Sequence, residues 1–283
     1  MPLCVACAHE NPPEARFCAR CGGVVGAQPI GDGRYVLSAR LGAGGMGEVW
    51  RARDTTLDCD VALKILNREL MADPQVRARM EREAKVLSRL RRSPHVVTLY
   101  DAFEVEERLV LVLDLIEGGD LRDRLDRGRL PWRQAIEIAT AISRGLSAMH
   151  AVGLVHRDLK PGNVLMDDDL AMITDLGVAH DQSSRPMTRT GARLGTPEYM
   201  APEQIQGLAV DARSDLYALG IVLYELLTGV VPFTGPTDFE IERAHVQDPP
   251  DLNRVPRDVP DALCDLLARC LEKDPADRFQ SAD

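Results

Sequence analysis

His156, Arg157, Asp158, Leu159, Lys160, Pro161, Gly162 and Asn163 are followed, twelve positions after the last of them, by Asp175, Leu176 and Gly177. Asp158 can accept the proton of an attacking hydroxyl. Asn163 and Asp175 offer the oxygen ligands that Mg²⁺ prefers when it shares its shell with phosphates. The string therefore reads as a loop suited to phosphoryl transfer. A lone Asp near an Asn would be read as a turn cap, and it is the complete string that raises this stretch above that.

A second group of reactive residues opens the chain. Cys4 and Cys7, then Cys18 and Cys21, make two CxxC pairs separated by ten residues, with Gly22 after the last cysteine to allow a tight turn. Four thiolates at this spacing suit a tetrahedral structural Zn²⁺, and His9 is a further nitrogen donor that a complete four-cysteine site does not need. The segment is too short for a core of its own. Metal binding supplies roughly 10–16 kcal/mol of apparent folding energy at neutral pH. A redox pair is the competing reading, but no βαβ unit lies between the two motifs.

Phosphates also need a cradle, and the chain supplies one upstream of the catalytic string. Leu41, Gly42, Ala43, Gly44, Gly45, Met46, Gly47, Glu48 and Val49 form a glycine-rich run, in which missing side chains let backbone N–H groups approach the ligand. Dinucleotide-binding folds use the same letters but open a helix at the last glycine. Here residues 48–53 and 60–66 read as two strands around Asp54 to Asp58, so the run belongs to a hairpin. Residues 74–92, rich in Arg, Glu, Ala and Leu, favour a helix. Residues 108–116 form an apolar strand running into Glu117, Gly118, Gly119 and Asp120. Asp215 stands near the start of a helix running to about Leu227 that is apolar on nearly all sides and is therefore buried; its carboxylate can satisfy orphan N–H groups there.

Together these strings resemble the signature set of protein kinases, and most of all the bacterial Hanks-type serine/threonine kinases, from about Gly33 to the chain end. The resemblance implies an α+β, two-lobed fold with a β-rich N-lobe and a helical C-lobe, using ATP and Mg²⁺, or Mn²⁺ in its place, on protein substrates. It implies that Lys64 grips the α- and β-phosphates and is held by Glu83, with Glu81 the competing choice. It makes 117–120 a hinge, with Leu113 guarding the back pocket and the backbone of Asp114 and Ile116 facing adenine. Val49, Ala62 and Leu165 then enclose the base, and Asp120 meets the ribose hydroxyls unless it is a plain surface carboxylate. Lys160 reaches the γ-phosphate and the incoming hydroxyl, and Thr196 bonds across to Asp158 and Lys160, which favours serine or threonine over tyrosine as acceptor. Gly162 stands where a glutamate would select an arginine before the acceptor.

The same resemblance makes residues 180–193 an activation loop closed by the segment from Gly195 to Glu203, with Glu203 paired structurally to Arg278 and Asp215 anchoring the catalytic loop. Thr188 and Thr190 are the candidate regulatory phosphosites, because Arg157 can hold a phosphate there; Ser183 and Ser184 are weaker candidates. Leu176 replaces the usual phenylalanine, in an apolar stack with Leu87, Leu99 and His156, which implies altered switching and not lost activity. Two other assignments compete. One is a kinase-fold scaffold that binds nucleotide without transfer and uses a ribbon for interaction; the other is a small-molecule phosphotransferase, which Ala201, Pro202 and Glu203 disfavour.

The N-terminal cysteines resemble short bacterial zinc ribbons, which set no function by themselves and leave the ribbon's partner unknown. The expected organisation is a ribbon over residues 1–26, a linker over 27–32, and a kinase domain over 33–283 whose last helix is incomplete at Asp283. Within the 283 residues, 45% apolar content is enough for a sizeable core. The net charge of −10 argues against broad nucleic-acid affinity. The longest uncharged apolar run, 216–224, is too short to span a bilayer, and no signal sequence opens the chain, so a cytoplasmic location is expected. Cys264 and Cys270 are expected to pack as small hydrophobes on a helix, and Cys59 is unassigned.

Overall fold

The computed structural model of the chain describes residues 4, 9–12, 15, 18–20, 28–91, 93–175 and 196–283. These divide into two compact units: the residues up to Arg91 with Thr98–Leu115, and residues 93–97 with Ile116–Asp283.

The first unit is built on an antiparallel sheet of six strands: β1 (Gln28–Ile30), β2 (Tyr35–Gly44), β3 (Gly47–Asp54), β4 (Cys59–Leu66), β5 (Leu99–Val105) and β6 (Arg108–Leu113), in the spatial order β1-β2-β3-β4-β6-β5. Strands β3 and β4 pair without a slip from Gly47 opposite Leu66 to Asp54 opposite Cys59. Their connection turns on Asp54, whose Oδ1 accepts the N–H groups of Thr56 at 2.9 Å and Leu57 at 3.1 Å. The Arg34 guanidinium grips the same carboxylate, Nη2 to Oδ2 2.7 Å, and holds it below the usual range despite its burial. One sheet face buries Tyr35, Leu37, Trp50, Ala52, Val61, Leu63, Val110 and Val112 as a single cluster. Part of the expected linker is a strand instead: β1 pairs with β2, Ile30 opposite Tyr35, at the sheet's edge. The chain then bends at Gly31, where φ is +59° and a Cβ would meet the Phe103 ring at 2.9 Å.

Two helices belong to this unit, a short α1 (Arg68–Met71) and α2 (Pro74–Leu87). Asp73 caps α2 by accepting the Gln75 N–H at 2.8 Å, and Pro74 occupies the first turn, where a missing N–H costs nothing. Helix α2 stops at Leu87, before the expected end at Arg92, because Ser88–Leu90 tightens into a 3₁₀ turn.

The second unit is mainly helical: α3 (Leu121–Leu125), α4 (Trp132–Ala151), α5 (Pro202–Ile205), α6 (Ala212–Thr228), α7 (Asp238–Gln247) and α8 (Asp261–Cys270), with one hairpin, β7 (Val164–Asp167) and β8 (Leu170–Ile173). Helix α6 is buried from Ser214 through Leu227, as its all-round apolar sequence requires, and ends at Gly229 with φ +80°. Helix α4 lays a stripe of Ala135, Ile138, Ile142, Leu146 and Met149 inward and packs on α6 and β8. Where α8 crosses α6, a Cβ on Gly220 would lie 2.7 Å from that of Cys270. The last helix among the described residues, α8, closes at Cys270. Asp274 and Pro275 then start turns in which Asp274 Oδ1 accepts the Ala276 N–H at 2.8 Å. Cys264 and Cys270 lie on α8 and form no disulfide; burial pushes the Cys270 thiol up to about 12.

Candidate active site

In the second unit, the backbone before Asp158 does something that few residues do unaided. Arg157 has φ +68°, a left-handed conformation that costs a residue with a Cβ roughly 1–2 kcal/mol. Asp215, 1% exposed near the start of α6, offsets this: Oδ2 accepts the His156 N–H at 2.8 Å and Oδ1 the Arg157 N–H at 2.8 Å. Hydrogen bonds to a charged group contribute about 1.5–3 kcal/mol each. The His150 ring lies 2.8 Å from the same Oδ2. The fully buried His156 ring bonds the Thr174 carbonyl at 2.9 Å, joining the loop to the residue before Asp175.

Two of the predicted catalytic side chains, Lys160 and Asn163, meet at Asp158. Lys160 Nζ lies 2.9 Å from Asp158 Oδ2 and 3.3 Å from Thr196 Oγ1. Asn163 Nδ2 donates to the Asp158 carbonyl at 2.7 Å and to Oδ2 at 3.0 Å, which aims the carbonyl end of its amide away from Asp158 as a cation ligand. The backbone carbonyl of Asn163 accepts the Thr174 N–H at 3.0 Å, and Asp175 itself has φ +56°. One proton acceptor, one cation and two oxygen donors for a hard metal thus share one loop system. This fits Mg²⁺ chemistry.

Downstream, Glu203 is 4% exposed and accepts from Arg278 at 2.8 and 2.9 Å and from Ser214 at 2.6 Å. Burial raises its proton affinity, but the arginine and hydroxyl bonds outweigh that and leave the carboxyl below its usual range. A second buried network was not foreseen. Glu225 of α6 takes Arg122 of α3 at 2.8 Å and the Tyr199 hydroxyl at 2.6 Å, fixing the segment that follows Thr196. Gln204 was also missed, since the motif reading stopped at Glu203.

The residues that the resemblance assigns to a nucleotide are described unit by unit. Leu41 to Val49 span the end of β2, the turn and the start of β3. Gly47 is required there: its φ is +153° and a Cβ would lie 2.1 Å from the Ile65 carbonyl oxygen. Asn67 holds the turn, its side chain donating to the Gly45 carbonyl and its N–H to that of Met46, both at 2.9 Å. Ala62 and Lys64 are buried on β4 and Glu83 is half-buried on α2, while Glu81 is engaged by Arg77 at the surface. The Asp114 N–H donates to the Thr98 carbonyl, so its own carbonyl is the group it can present. Ile116, Asp120 and Leu165 belong to the second unit. Asp120 caps α3, accepting the Asp123 N–H at 3.0 Å, and its backbone bridges to Leu165. Gly118 is required, because a Cβ would lie 2.0 Å from the Met166 carbonyl oxygen.

Thr188, Thr190 and Leu176 lie outside the described residues, as do Cys7 and Cys21. Cys4 and Cys18 are buried together with Ala15 against them. The Arg20 N–H points at Cys18 Sγ from 3.4 Å, the kind of donor that steadies a thiolate ligand. Among the described residues no group of three or more metal-binding side chains occurs, and no helix is long and apolar enough to cross a membrane.

Comparison with known proteins is consistent with this geometry. Residues 35–283 match the family described as protein kinase domain. The serine/threonine-protein kinase drp72 of Corynebacterium efficiens is 40% identical over 252 residues, 87% of this chain and 48% of that protein. PknH of Mycobacterium tuberculosis is 40% identical over 253 residues, 88% of this chain and 40% of that protein. The chain therefore spans less than half the length of these relatives. The crystal structure of the Mycobacterium tuberculosis PknI kinase domain superposes with a TM-score of 0.72 at 31% identity, covering 92% of this chain and 96% of that one.

Proposed function

The chain belongs to the protein kinase domain family, and on that premise we propose that it transfers the γ-phosphoryl group of ATP to serine or threonine hydroxyls of proteins, itself included, in signalling. The observation that carries this reading is the set of contacts on Asp158: Lys160 at 2.9 Å, Asn163 at 3.0 Å, and a backbone anchored by Asp215. Asp158 accepts the proton of the hydroxyl as it attacks. Lys160 neutralises charge beside it, and its 3.3 Å bond to Thr196 sets a short reach suited to serine and threonine. Asn163 and Asp175 hold Mg²⁺, which when bound with ATP neutralises the phosphate oxygens. Lys64 grips the α- and β-phosphates and Glu83 orients it. The backbone from Leu41 to Val49 covers the phosphates, and Ala62, Val49, Leu165, Asp114 and Ile116 receive the base, with Asp120 near the ribose.

Two finer assignments belong to the same proposal. Phosphate on Thr188 or Thr190 pairs with Arg157, whose buried Nε has no partner among the described residues. Cys4, Cys7, Cys18 and Cys21 hold a structural Zn²⁺ as a separate ribbon that engages a partner protein; the packing of Cys4 against Cys18 and the N–H aimed at sulfur support this. The kinase unit follows from residue 33.

The test is incubation of purified chain with Mg²⁺ and ATP, followed by mass spectrometry and by arrays of matched Ser, Thr and Tyr peptides. Labelling of serine and threonine is expected, with mass added at Thr188 or Thr190. Preferential tyrosine labelling, or tight ATP binding without transfer, overturns the assignment. Zinc should copurify in one equivalent and be lost in Cys18→Ser with ATP binding retained.

A further inference from the structure

We propose that Gln204 is a positioning residue for the general base, holding the peptide plane on which Asp158 stands; the inference rests on the phosphotransfer reading above. Three consecutive peptide planes lead into Asp158, and each is fixed from outside the loop. Asp215 takes the N–H groups of the first two, at His156 and Arg157. The third plane, between Arg157 and Asp158, presents its carbonyl oxygen, and Gln204 Nε2 donates to it at 2.8 Å.

The other end of the Gln204 amide is equally committed, since Oε1 accepts the Ala201 N–H at 3.0 Å. A carbonyl only accepts and an N–H only donates, so turning the amide over would set two like groups against each other. Its orientation is therefore unique. At neutral pH only a primary amide of this length supplies a donor and an acceptor in these two directions.

The footing of Gln204 is rigid. It follows Glu203 directly, and Glu203 is buried and bound by Arg278 and Ser214. The left-handed Arg157 needs such a hold, because without a partner for its carbonyl the 157–158 plane keeps only the long 3.3 Å bond from the Asp158 N–H to His156 Nδ1 and can tilt, carrying the carboxylate with it. Gln204 thus ties the catalytic loop to α5, as Lys160 ties it to Thr196 at 3.3 Å. Docking of α5 and placement of the base are thereby coupled.

The experiment uses the whole chain with Gln204→Met and Gln204→Glu. Methionine keeps length and loses both polar contacts. It should lower kcat about tenfold, as small misplacements of a reacting group do, with the KM for ATP unchanged and the unfolding midpoint only slightly lowered. Glutamate ionised at neutral pH sets an oxygen against the Arg157 carbonyl, whereas protonated it can donate there and still accept from Ala201. Its kcat relative to wild type should therefore climb several-fold as pH falls toward the carboxyl range, about 4–6. Hydrogen exchange supplies a readout independent of turnover: peptides covering 156–160 should exchange faster in Gln204→Met while those of α6 do not. Wild-type kcat in Gln204→Met, a flat pH ratio in Gln204→Glu, or unchanged exchange overturns the inference. So does a parallel loss of ATP affinity and stability, which would make the residue merely structural. An inactive wild-type chain counts against the phosphotransfer reading instead, and the exchange result still decides the role of Gln204.

Discussion

Two stretches of irregular backbone carry the proposed chemistry, and they are held in opposite ways. Residues 156–163 are pinned by Asp215 and Gln204, which reach in from other elements to the backbone, and by Asn163, which bonds back to Asp158 within the loop. The turn at Gly45 and Met46 is held, among the described residues, by the strands on either side and by Asn67 at the surface. The difference follows from what each must present. A general base is a single atom whose position sets the rate, so its peptide planes are fixed one by one. A phosphate cradle is a row of N–H groups that needs bare backbone and room to close, so it is given glycines and few restraints.

The sharpest break is Asp158→Asn. It preserves shape and removes the proton acceptor, so transfer to a serine peptide should fall about 10²–10⁴-fold with little change in melting temperature. A rate near wild type would remove the loop from the chemistry. Arg278→Met tests the footing instead: removing one partner of a buried pair leaves Glu203 charged and uncompensated, at a cost of about 3–5 kcal/mol in urea unfolding. The sign of its pH dependence is set by the native carboxyl. Glu203 titrates below its unfolded value of about 4.3, so wild type keeps this stability above that pH and loses it as pH falls through the lower folded value. In Arg278→Met protonation relieves the buried charge, so its deficit should shrink toward acid pH. A deficit that is constant with pH would mean the pair is not where the stability lies.

In the second unit several contacts were legible because motif residues and their partners are few: Asp215 on the loop backbone, Glu203 on Arg278 and Lys160 on Thr196 are the contacts the resemblance implies. What escaped was the residue whose role depends on reach. Gln204 looks like any polar helix residue until Arg157 is seen in a left-handed conformation with its carbonyl turned toward α5. Arg122 is similarly silent, 103 positions from the Glu225 it binds. In the first unit, strands β3 and β4 were readable from the turn residues between them. Strand β1 was not, because Gln28, Pro29 and Ile30 are too short a run to show a period and Pro29 reads as a breaker until it is seen at a sheet edge. The early end of helix α2 was not readable, because no glycine or proline follows Pro74 before Ser88 to mark it.

Gly47→Ala breaks the cradle at the point where the sequence leaves least freedom. Its Cβ would sit 2.1 Å from the Ile65 oxygen, backbone against backbone, so β3 must separate from β4 there. The expected cost is about 1–3 kcal/mol, with weaker ATP binding in a nucleotide fluorescence titration. Undiminished affinity would show that the strand ends at the turn yield freely. His245 supplies a smaller test in the second unit. It is fully buried beside Phe233, Tyr217 and Lys273, and burial lowers its pKa to about 3. The unfolded chain takes up the proton first, so this part of the stability is complete above about pH 6.5 and is lost as pH falls, by about 1.4 kcal/mol per unit at most. Urea midpoints between neutral and mildly acidic pH should therefore decline less steeply in His245→Phe; equal slopes would reject the assignment.

Asn67→Ala should have the smallest effect and bears most directly on the contrast between the two loops. The residue follows β4 and spends its side chain on the Gly45 carbonyl while its backbone N–H takes that of Met46. The substitution removes the first bond and spares the second. Because the site is exposed, water replaces the lost donor, so stability should change by about 1 kcal/mol or less. The turn gains freedom all the same. If the cradle works by wrapping and not by rigid placement, the KM for ATP should rise modestly while kcat at saturation stays near wild type, the reverse of the pattern expected for Gln204→Met. A fall in kcat as large as that of the Gln204 variant, with KM unchanged, would mean that both loops are positioned to the same tolerance and that the contrast drawn from their restraints does not extend to function.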